Sequence, residues 1–218
     1  MSLILRLLAI CVDQLLEKLF ESVPKIRILR LFMQNQDYNF TFSELVKRTS
    51  ISSPKVKKEL QKLLNIKLIK SKIIKIRPEQ TSAKPKKLVR AKKTKIFYIN
   101  PSFELLRELH DLIIKSSITS RTKISQRLKK LGNVKLGIIS GVFINKDDAR
   151  ADLLIVGDNI KRGAVDNFLH QTESELGKHL QYTVMDTKEF KYRLDMYDRF
   201  LRDVLEGPHE KLINKLNI

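Results

Sequence analysis

Residues 40–64 carry the start signals of two short helices in close succession, and this pair constrains the fold more than any other feature of the sequence. Thr41 and Glu44 have the spacing of a capping box, in which the hydroxyl and the carboxylate each pair with a free backbone N–H group. A serine pair directly before Pro54 can cap a second helix, and proline suits the first helical position because it has no N–H group to leave unpaired. The sequence therefore predicts a helix, a tight turn and a second helix.

The second predicted helix carries apolar and basic residues on different faces. Its apolar residues are spaced to form one buried stripe: Val56, Leu60, Leu63 and Leu64. Its basic residues occupy another face: Lys55, Lys57, Lys58 and Lys62. Ser53 and Gln61 accompany them and can bond to base edges, whereas lysines pair with phosphates. A solvated lysine face is the alternative for such a run taken alone, and the segment that follows favours nucleic acid.

Two predicted strands joined by a basic loop follow this helix. Residues 71–77 and 95–100 are rich in β-branched or aromatic residues, as strands are. From residue 84 to residue 95, seven of twelve residues are basic and none is acidic: Lys84, Lys86, Lys87, Arg90, Lys92, Lys93 and Lys95. Such a run cannot bury itself, and it would release counterions on binding a polyanion. The alternative for this loop is a solubilising insertion.

Over residues 22–100, this order of helices and strands resembles the winged helix-turn-helix of bacterial and archaeal transcription regulators. The resemblance implies that the lysine-faced helix enters the major groove of DNA and that the basic loop forms the wing. Residues 24–34 are predicted as the first helix of this domain. Residues 101–120 are predicted as a connecting helix and linker. The fold also serves RNA and protein binding, and both remain alternatives.

The positive charge of the chain is concentrated in its first half. The 218 residues carry a net charge of +19, and 42% of them are hydrophobic, which is normal for a globular protein. Residues 1–117 hold 25 basic and 10 acidic side chains, whereas residues 118–218 hold 18 and 14. Double-stranded DNA is therefore the expected partner of the first half, although RNA or a membrane surface would also accept such a charge.

The N-terminal segment and the cysteine count bear on assembly and compartment. Residues 1–21 are apolar, but their uninterrupted apolar run is too short to span a bilayer, so we expect an amphipathic helix and no membrane insertion. Its expected contact is the winged domain or a second subunit of a homodimer, because two-fold DNA sites need two readers. A peripheral membrane helix is the alternative.

The single cysteine, Cys11, allows no internal disulfide and fits a cytoplasmic protein. Histidines are scattered, and no metal or other cofactor is expected.

Strands alternate with helices in residues 121–218, which predicts a small α/β domain after the α+β N-terminal part. One strand ends in Ser140-Gly141, and the next begins with Arg150-Ala151-Asp152 before an apolar run. Over residues 121–205 this resembles the minimal nucleotidyltransferase fold of the polymerase-β superfamily, in which the first strand ends in Gly-Ser and the second carries Asp-x-Asp. Here the Gly-Ser order is inverted. Asp152 matches the second acidic position, and Arg150 replaces the first.

The arginine at position 150 decides the chemistry that the resemblance implies. Nucleotidyl transfer needs carboxylates that hold divalent metal ions, and an arginine at a ligand position repels the metal. We therefore expect a catalytically inactive domain in which Ser140, Gly141 and Asp152 are the vestige of a metal and nucleotide site. Two helices are predicted to end the chain, at residues 187–205 and 209–216.

Together these patterns predict a DNA-binding transcription regulator that is not an enzyme, with a winged helix-turn-helix followed by a small α/β nucleotidyltransferase-like domain. One alternative is an active nucleotidyltransferase that a basic winged-helix domain directs to nucleic acid. The other is a non-catalytic module that binds RNA or protein.

Overall fold

The computed structural model of the chain is a mixed arrangement of α-helices and two β-sheets. It describes residues 16, 18–76, 92–115, 121–144, 146 and 148–218. The first half contains α1 (Val23–Gln34), β1 (Phe40–Thr41), α2 (Phe42–Thr49), α3 (Ser53–Asn65), β2 (Ile69–Ile76), β3 (Lys92–Ile99) and α4 (Leu106–Lys115). The second half contains α5 (Arg121–Leu128), β4 (Asn133–Ile139), a 3₁₀-helix (Gly141–Ile144), β5 (Leu153–Asp158), α6 (Arg162–Leu176), β6 (Tyr182–Met185), α7 (Thr187–Asp195), α8 (Arg199–Glu206) and β7 (Glu210–Asn214).

Helices α2 and α3 begin at the residues that carry their predicted start signals, but only α2 has the predicted side-chain cap. At α2 the capping box is confirmed: the Glu44 N–H group donates to Thr41 Oγ1 at 3.3 Å, and the Thr41 N–H group donates to Glu44 Oε2 at 2.7 Å. Burial alone would raise the pKa of the Glu44 carboxyl, but hydrogen bonds from Thr41 and Tyr38 hold it below its usual value. At α3 Ser52 is the N-cap residue, although its side chain makes no capping hydrogen bond.

The first sheet has the strand order β1-β3-β2, and both pairs are antiparallel. Register runs from Ile69 opposite Ile99 to Ile76 opposite Lys92, so β3 begins three residues before its predicted start. A hydrophobic core joins the base of this sheet to α1, α2, α3 and α4. Phe32 and Phe40 meet edge to face in this core, with ring centroids 5.2 Å apart.

The second sheet has the strand order β6-β5-β4-β7, with β5 and β6 parallel and the other pairs antiparallel. Alternate residues of β5 enter different cores. Leu153 and Ile155 pack on the side of α5 and α6, whereas Leu154 and Val156 pack on the side of α7 and α8. Burial on both faces explains why the sequence of β5 is an uninterrupted apolar run.

Two predictions for the C-terminal segment are wrong. Residues 210–214 form strand β7 instead of a helix, because they pair with the free edge of β4 and bury Ile213 there. The predicted long helix at residues 187–205 is two helices, α7 and α8, which are separated at Tyr197 by a left-handed backbone with φ of 52°. A short apolar segment fits either a helix or a strand by pattern alone, and the unpaired strand edge decides the outcome.

Helix α6 connects the two halves of the molecule. Two backbone carbonyls at its C-terminal end accept hydrogen bonds from the first half of the chain. Arg30 Nη1 of α1 donates to Glu175 O at 3.2 Å, and Asn35 Nδ2, in the residue after α1, donates to Gly177 O, in the residue after α6, at 2.8 Å. Carbonyls at a helix end have no partner within the helix, so these contacts satisfy them. The imidazole Nδ1 of His170, farther back on α6, lies 3.0 Å from Ser50 Oγ in the turn between α2 and α3.

Candidate nucleic-acid interface

Helix α3 is amphipathic in the way that the sequence predicts. Its apolar residues are buried (Val56, Leu60 and Leu63) or half-buried (Leu64). All six residues predicted to contact DNA from this helix are exposed: Ser53, Lys55, Lys57, Lys58, Gln61 and Lys62. Among the described residues, Lys55, Lys57 and Lys58 have no ion-pair or hydrogen-bond partner, so their charges are available to a ligand.

A buried carboxylate on the same helix distinguishes Lys62 from the other lysines. Only 7% of Glu59 is exposed, and its carboxylate oxygens lie 3.0 Å from Lys62 Nζ and 4.0 Å from Lys25 Nζ of α1. Gln61 donates from Nε2 to Asn65 Oδ1 at 3.0 Å. Glu59 is not among the residues predicted from the sequence, although its spacing three residues before Lys62 is that of a helical ion pair. Lys62 is therefore partly neutralised within the protein.

The β2–β3 hairpin adds lysines on the side of the sheet that faces the helices. Successive residues of a strand point to opposite faces, so Ile73 and Lys75 share a face with Ile69, which packs in the helix-covered core. On β3, Lys93 and Lys95 share that face with the buried residue Phe97. Beyond the core both lysines of β3 are exposed, as is Lys75. These three lysines of the hairpin thus lie on the sheet face that the helices cover nearer its base.

The predicted wing residues are described only in part. Lys93 is exposed at the start of β3, and Lys92 is described only as part of the backbone of that strand. The remaining predicted wing residues lie outside the described residues: Lys84, Lys86, Lys87 and Arg90. Residues 53–99 as a whole hold sixteen basic and two acidic side chains, so most of the net positive charge lies between α3 and β3.

The second set of predicted site residues comes together where β4 ends and β5 begins. Asp152 is buried, and each of its carboxylate oxygens accepts a backbone N–H group at 2.8 Å, one from Val142 and one from Gln181. Gly141 has a left-handed backbone, and a Cβ atom at that position would overlap the Asp152 carboxylate. Ser140 Oγ donates to Pro208 O at 2.6 Å. Asp152 and Ser140 therefore hold three segments, at Val142, Gln181 and Pro208, at this end of the sheet.

These residues offer a divalent metal ion only one carboxylate. Each Asp152 oxygen already accepts a backbone N–H group, and Arg150 pairs with Asp203 at 3.1 Å instead of facing a second carboxylate. Within the described part of the chain, no three His, Cys, Asp or Glu residues are grouped so that they could hold a metal ion.

Asp158, at the other end of β5, has a pKa lowered to about 2 by its hydrogen bonds with Lys135 at 2.7 Å and with the Thr187 N–H group at 3.2 Å.

Comparisons with known proteins leave the site to be interpreted from its own geometry. The sequence matches no protein-family model, and no curated protein or solved structure is significantly similar to it. No helix in the described ranges is long and apolar enough to cross a membrane.

Proposed function

We propose that the chain is a DNA-binding transcription regulator in which residues 22–100 act as a winged helix-turn-helix. The observation that carries this proposal is the lysine face of α3, where Lys55, Lys57 and Lys58 are exposed and have no partner in the described part of the chain. A helix that enters a major groove needs cations for the phosphates at its flanks and hydrogen-bonding groups for base edges. Ser53 and Gln61 supply those groups on the same helix.

The hairpin supports the same partner. Lys75 and Lys93 are direct neighbours across β2 and β3, and like charges in that position destabilise a sheet. A phosphate backbone beside them would remove the repulsion and release counterions. This arrangement suits a wing that lies along DNA, with the basic loop beyond it extending the contact.

The second half of the chain has the role of a non-catalytic module in this proposal. The helix–strand–strand–helix–strand–helix order of residues 121–195 supports the resemblance to a minimal nucleotidyltransferase. Asp152 and Arg150 are engaged in contacts within the fold, which supports an inactive relative. The proposed regulator acts in the cytoplasm as a homodimer, since two-fold DNA sites are read by two helices one helical turn apart.

Fluorescence anisotropy with duplex DNA from the promoter region of its own gene, at several salt concentrations, tests the proposal. A variant with Lys55, Lys57 and Lys58 changed to alanine should bind at least about ten-fold more weakly. It should also lose about 0.9 of the salt slope for each phosphate contact removed. The matched control changes three exposed lysines of the second half to alanine: Lys129, Lys188 and Lys191.

Two results would contradict the proposal. If the α3 variant and the control variant bind DNA alike, the lysine face of α3 is not the interface. If duplex DNA, RNA and heparin bind with equal affinity at every salt concentration, the basic half is a non-specific polyanion binder and the RNA or protein-binding alternative gains support.

A further inference from the structure

A small cavity lies where the C-terminal ends of α2 and α6 meet. Its volume is about 90 Å³, and one carboxylate and five basic or imidazole side chains line it: Glu173, Lys47, Arg48, His170, Lys178 and His179. Ser50, which contacts His170, belongs to the turn between α2 and α3. The cavity therefore adjoins the helix-turn-helix segment but is separate from the lysine face of α3.

Arg48 is the most constrained cation of this cavity. Its guanidinium carbon lies 5.2 Å from the centroid of the Phe40 ring and 6.0 Å from that of Tyr38. Burial is the main cause that lowers the pKa of Arg48, although the guanidinium stays charged at neutral pH. No carboxylate lies within ion-pair distance of Arg48 in the part of the chain that the structure describes. Glu173 and Glu44 attract the guanidinium from beyond that distance and oppose the effect of burial only in part. An anion bound directly to Arg48 would stabilise this partly desolvated charge further.

The other polar groups are oriented by contacts that leave donors available. Glu173 Oε1 accepts the Leu180 N–H group at 2.9 Å and lies 3.4 Å from His179 Nδ1. His170 Nδ1 lies 3.0 Å from the Ser50 hydroxyl. In both imidazole rings the Nε2 atom has no hydrogen-bond partner among the described residues. Each ring is thus held at one nitrogen and available at the other.

The helix ends do not cancel the positive charge of the cavity. A helix C-terminus carries the equivalent of roughly half a negative charge, and two helices end here. At α6 the terminal carbonyls are already bonded by Arg30 and Asn35 from the first half of the chain. Lys47 and Arg48 alone outnumber the one carboxylate of the lining, so a positive excess remains even when both histidines are neutral.

We propose that this cavity binds a single phosphate group, supplied either by the DNA backbone or by a free phosphorylated molecule. A guanidinium fork, lysine ammonium groups and imidazole N–H donors are the groups that bind phosphate in proteins. The volume of about 90 Å³ suits one such group, whether it is free or part of a larger molecule outside the cavity. If DNA supplies the phosphate, the inference rests on the proposed function; if a free molecule supplies it, the inference is independent of DNA binding. In either case the phosphate ties α6 to the helix-turn-helix segment.

Titration of the full chain with inorganic phosphate, at constant pH and ionic strength, tests the site through the side-chain NMR signals of its histidines. The chain has four histidines, so the two in the cavity have internal controls. We expect saturable shifts of His170 and His179 and no shift of His110 or His209. If all four respond alike, or if His170 and His179 do not saturate, the proposal is overturned.

Substitutions of the two α2 cations test which charges bind the anion. The double variant Lys47→Met, Arg48→Met should weaken phosphate binding at least about ten-fold, because charge-assisted hydrogen bonds are lost. The control variant Lys188→Met, Lys191→Met should bind as the unaltered chain does. If the double variant does not fold, two single variants replace it. Arg48→Lys keeps a positive charge next to the aromatic rings but removes the guanidinium, and Lys47→Met removes the other cation of α2. Each should weaken phosphate binding, by less than the double variant. Unchanged binding in every folded variant would also overturn the proposal.

Anisotropy with duplex DNA in chloride buffer identifies the source of the phosphate. If the DNA backbone supplies it, the double variant binds DNA more weakly and inorganic phosphate competes better than chloride of equal ionic strength. If a free molecule supplies it, the double variant keeps its DNA affinity but loses the phosphate response. Failure of the DNA-binding proposal is distinguishable, because it is measured on the α3 lysine variant and not on the histidine signals.

Discussion

Lys75 and Lys93 lie directly opposite each other in the antiparallel pair of β2 and β3, on the face of the sheet that packs against the helices nearer its base. Both side chains are exposed. Directly opposed like charges destabilise a sheet by a few tenths of a kcal/mol to about 1 kcal/mol. In the proposed complex with DNA this repulsion favours binding, because phosphates next to the two lysines relieve it.

Reversal of one of these charges should move stability and DNA affinity in opposite directions. Lys93→Glu converts the repulsive pair into an attractive one, so the free energy of unfolding should rise by about 0.2–1 kcal/mol. Affinity for duplex DNA should fall at the same time, since a cation of the hairpin is replaced by an anion. Urea unfolding and fluorescence anisotropy measure the two effects. Lys70→Glu, which places the same charge change opposite Tyr98, should bring no comparable cross-strand gain in stability.

Gly177 is predicted to be essential to the contact between α1 and α6. Its φ of 77° is left-handed, and an added Cβ atom would lie 2.7 Å from backbone atoms of Arg30 and Leu31. Gly177→Ala should therefore lower the free energy of unfolding by more than about 1 kcal/mol. Gly163→Ala is the matched control on the same helix, because a Cβ atom there meets nothing within 4 Å. Equal denaturant midpoints for the two variants would show that α1 does not constrain Gly177.

Glu175 connects three helices, and its loss should cost more than that of a surface ion pair. Its carboxylate binds both terminal nitrogens of Arg127, at 2.7 and 3.0 Å, and lies 3.9 Å from Arg27 of α1. Hydrogen bonding to Glu175 is also the main cause that raises the pKa of Arg127. Glu175→Gln should destabilise the protein by roughly 1–3 kcal/mol, since these hydrogen bonds are charged and partly buried.

The control for Glu175 is a half-exposed pair on α7. Glu189 binds Arg193 at 2.6 Å, four residues apart on the same helix. Pairs of this kind contribute about 0.3–0.5 kcal/mol, so Glu189→Gln should shift the urea midpoint only slightly. If both variants are equally mild, Glu175 is not a connection between the two halves.

Local patterns predicted helices α2 and α3 well. The capping box of Thr41 and Glu44 depends on residues three apart, and the apolar stripe of α3 depends on helical spacing, so neighbouring residues alone determine both. The exposed lysines of α3 follow from the same stripe. Whether DNA binds them stays a prediction.

Contacts between distant residues account for what the sequence did not reveal. Arg30 and Glu175 are 145 positions apart, and no local spacing predicts that the Arg30 guanidinium will donate to the Glu175 backbone carbonyl near the end of α6. Strand β7 was missed for the same reason, since it forms only where β4 offers a free edge. The cavity at the ends of α2 and α6 combines residues of both helices and of the segment after α6, so it exists only after the two halves have packed together.

Asp158 should make stability depend on pH in the acid range. Its folded-state pKa of about 2 lies below the ordinary aspartate value of about 3.9, so its charged form favours folding. That contribution is present above about pH 4 and is lost as the pH falls towards 2. Asp158→Asn should lower the Tm at pH 6, and the difference from the unaltered chain should shrink as the pH approaches 2. Asp195→Asn, an exposed carboxylate at the end of α7, is the control. A difference in Tm that stays constant over this range would contradict the role of Lys135 and Thr187.

Asp152 should behave as a structural residue and not as a metal ligand. Asparagine at this position offers one acceptor oxygen to the two backbone N–H groups of Val142 and Gln181, and its amide group would oppose the other. Asp152→Asn should therefore lower the free energy of unfolding by about 1–3 kcal/mol. The loss should be the same in Mg²⁺ and in EDTA, whereas the exposed neighbour Asp148 should tolerate the same change. A rise in the Tm of the unaltered chain with Mg²⁺ that Asp152→Asn abolishes, together with transfer of label from a nucleoside triphosphate, would instead support the active nucleotidyltransferase.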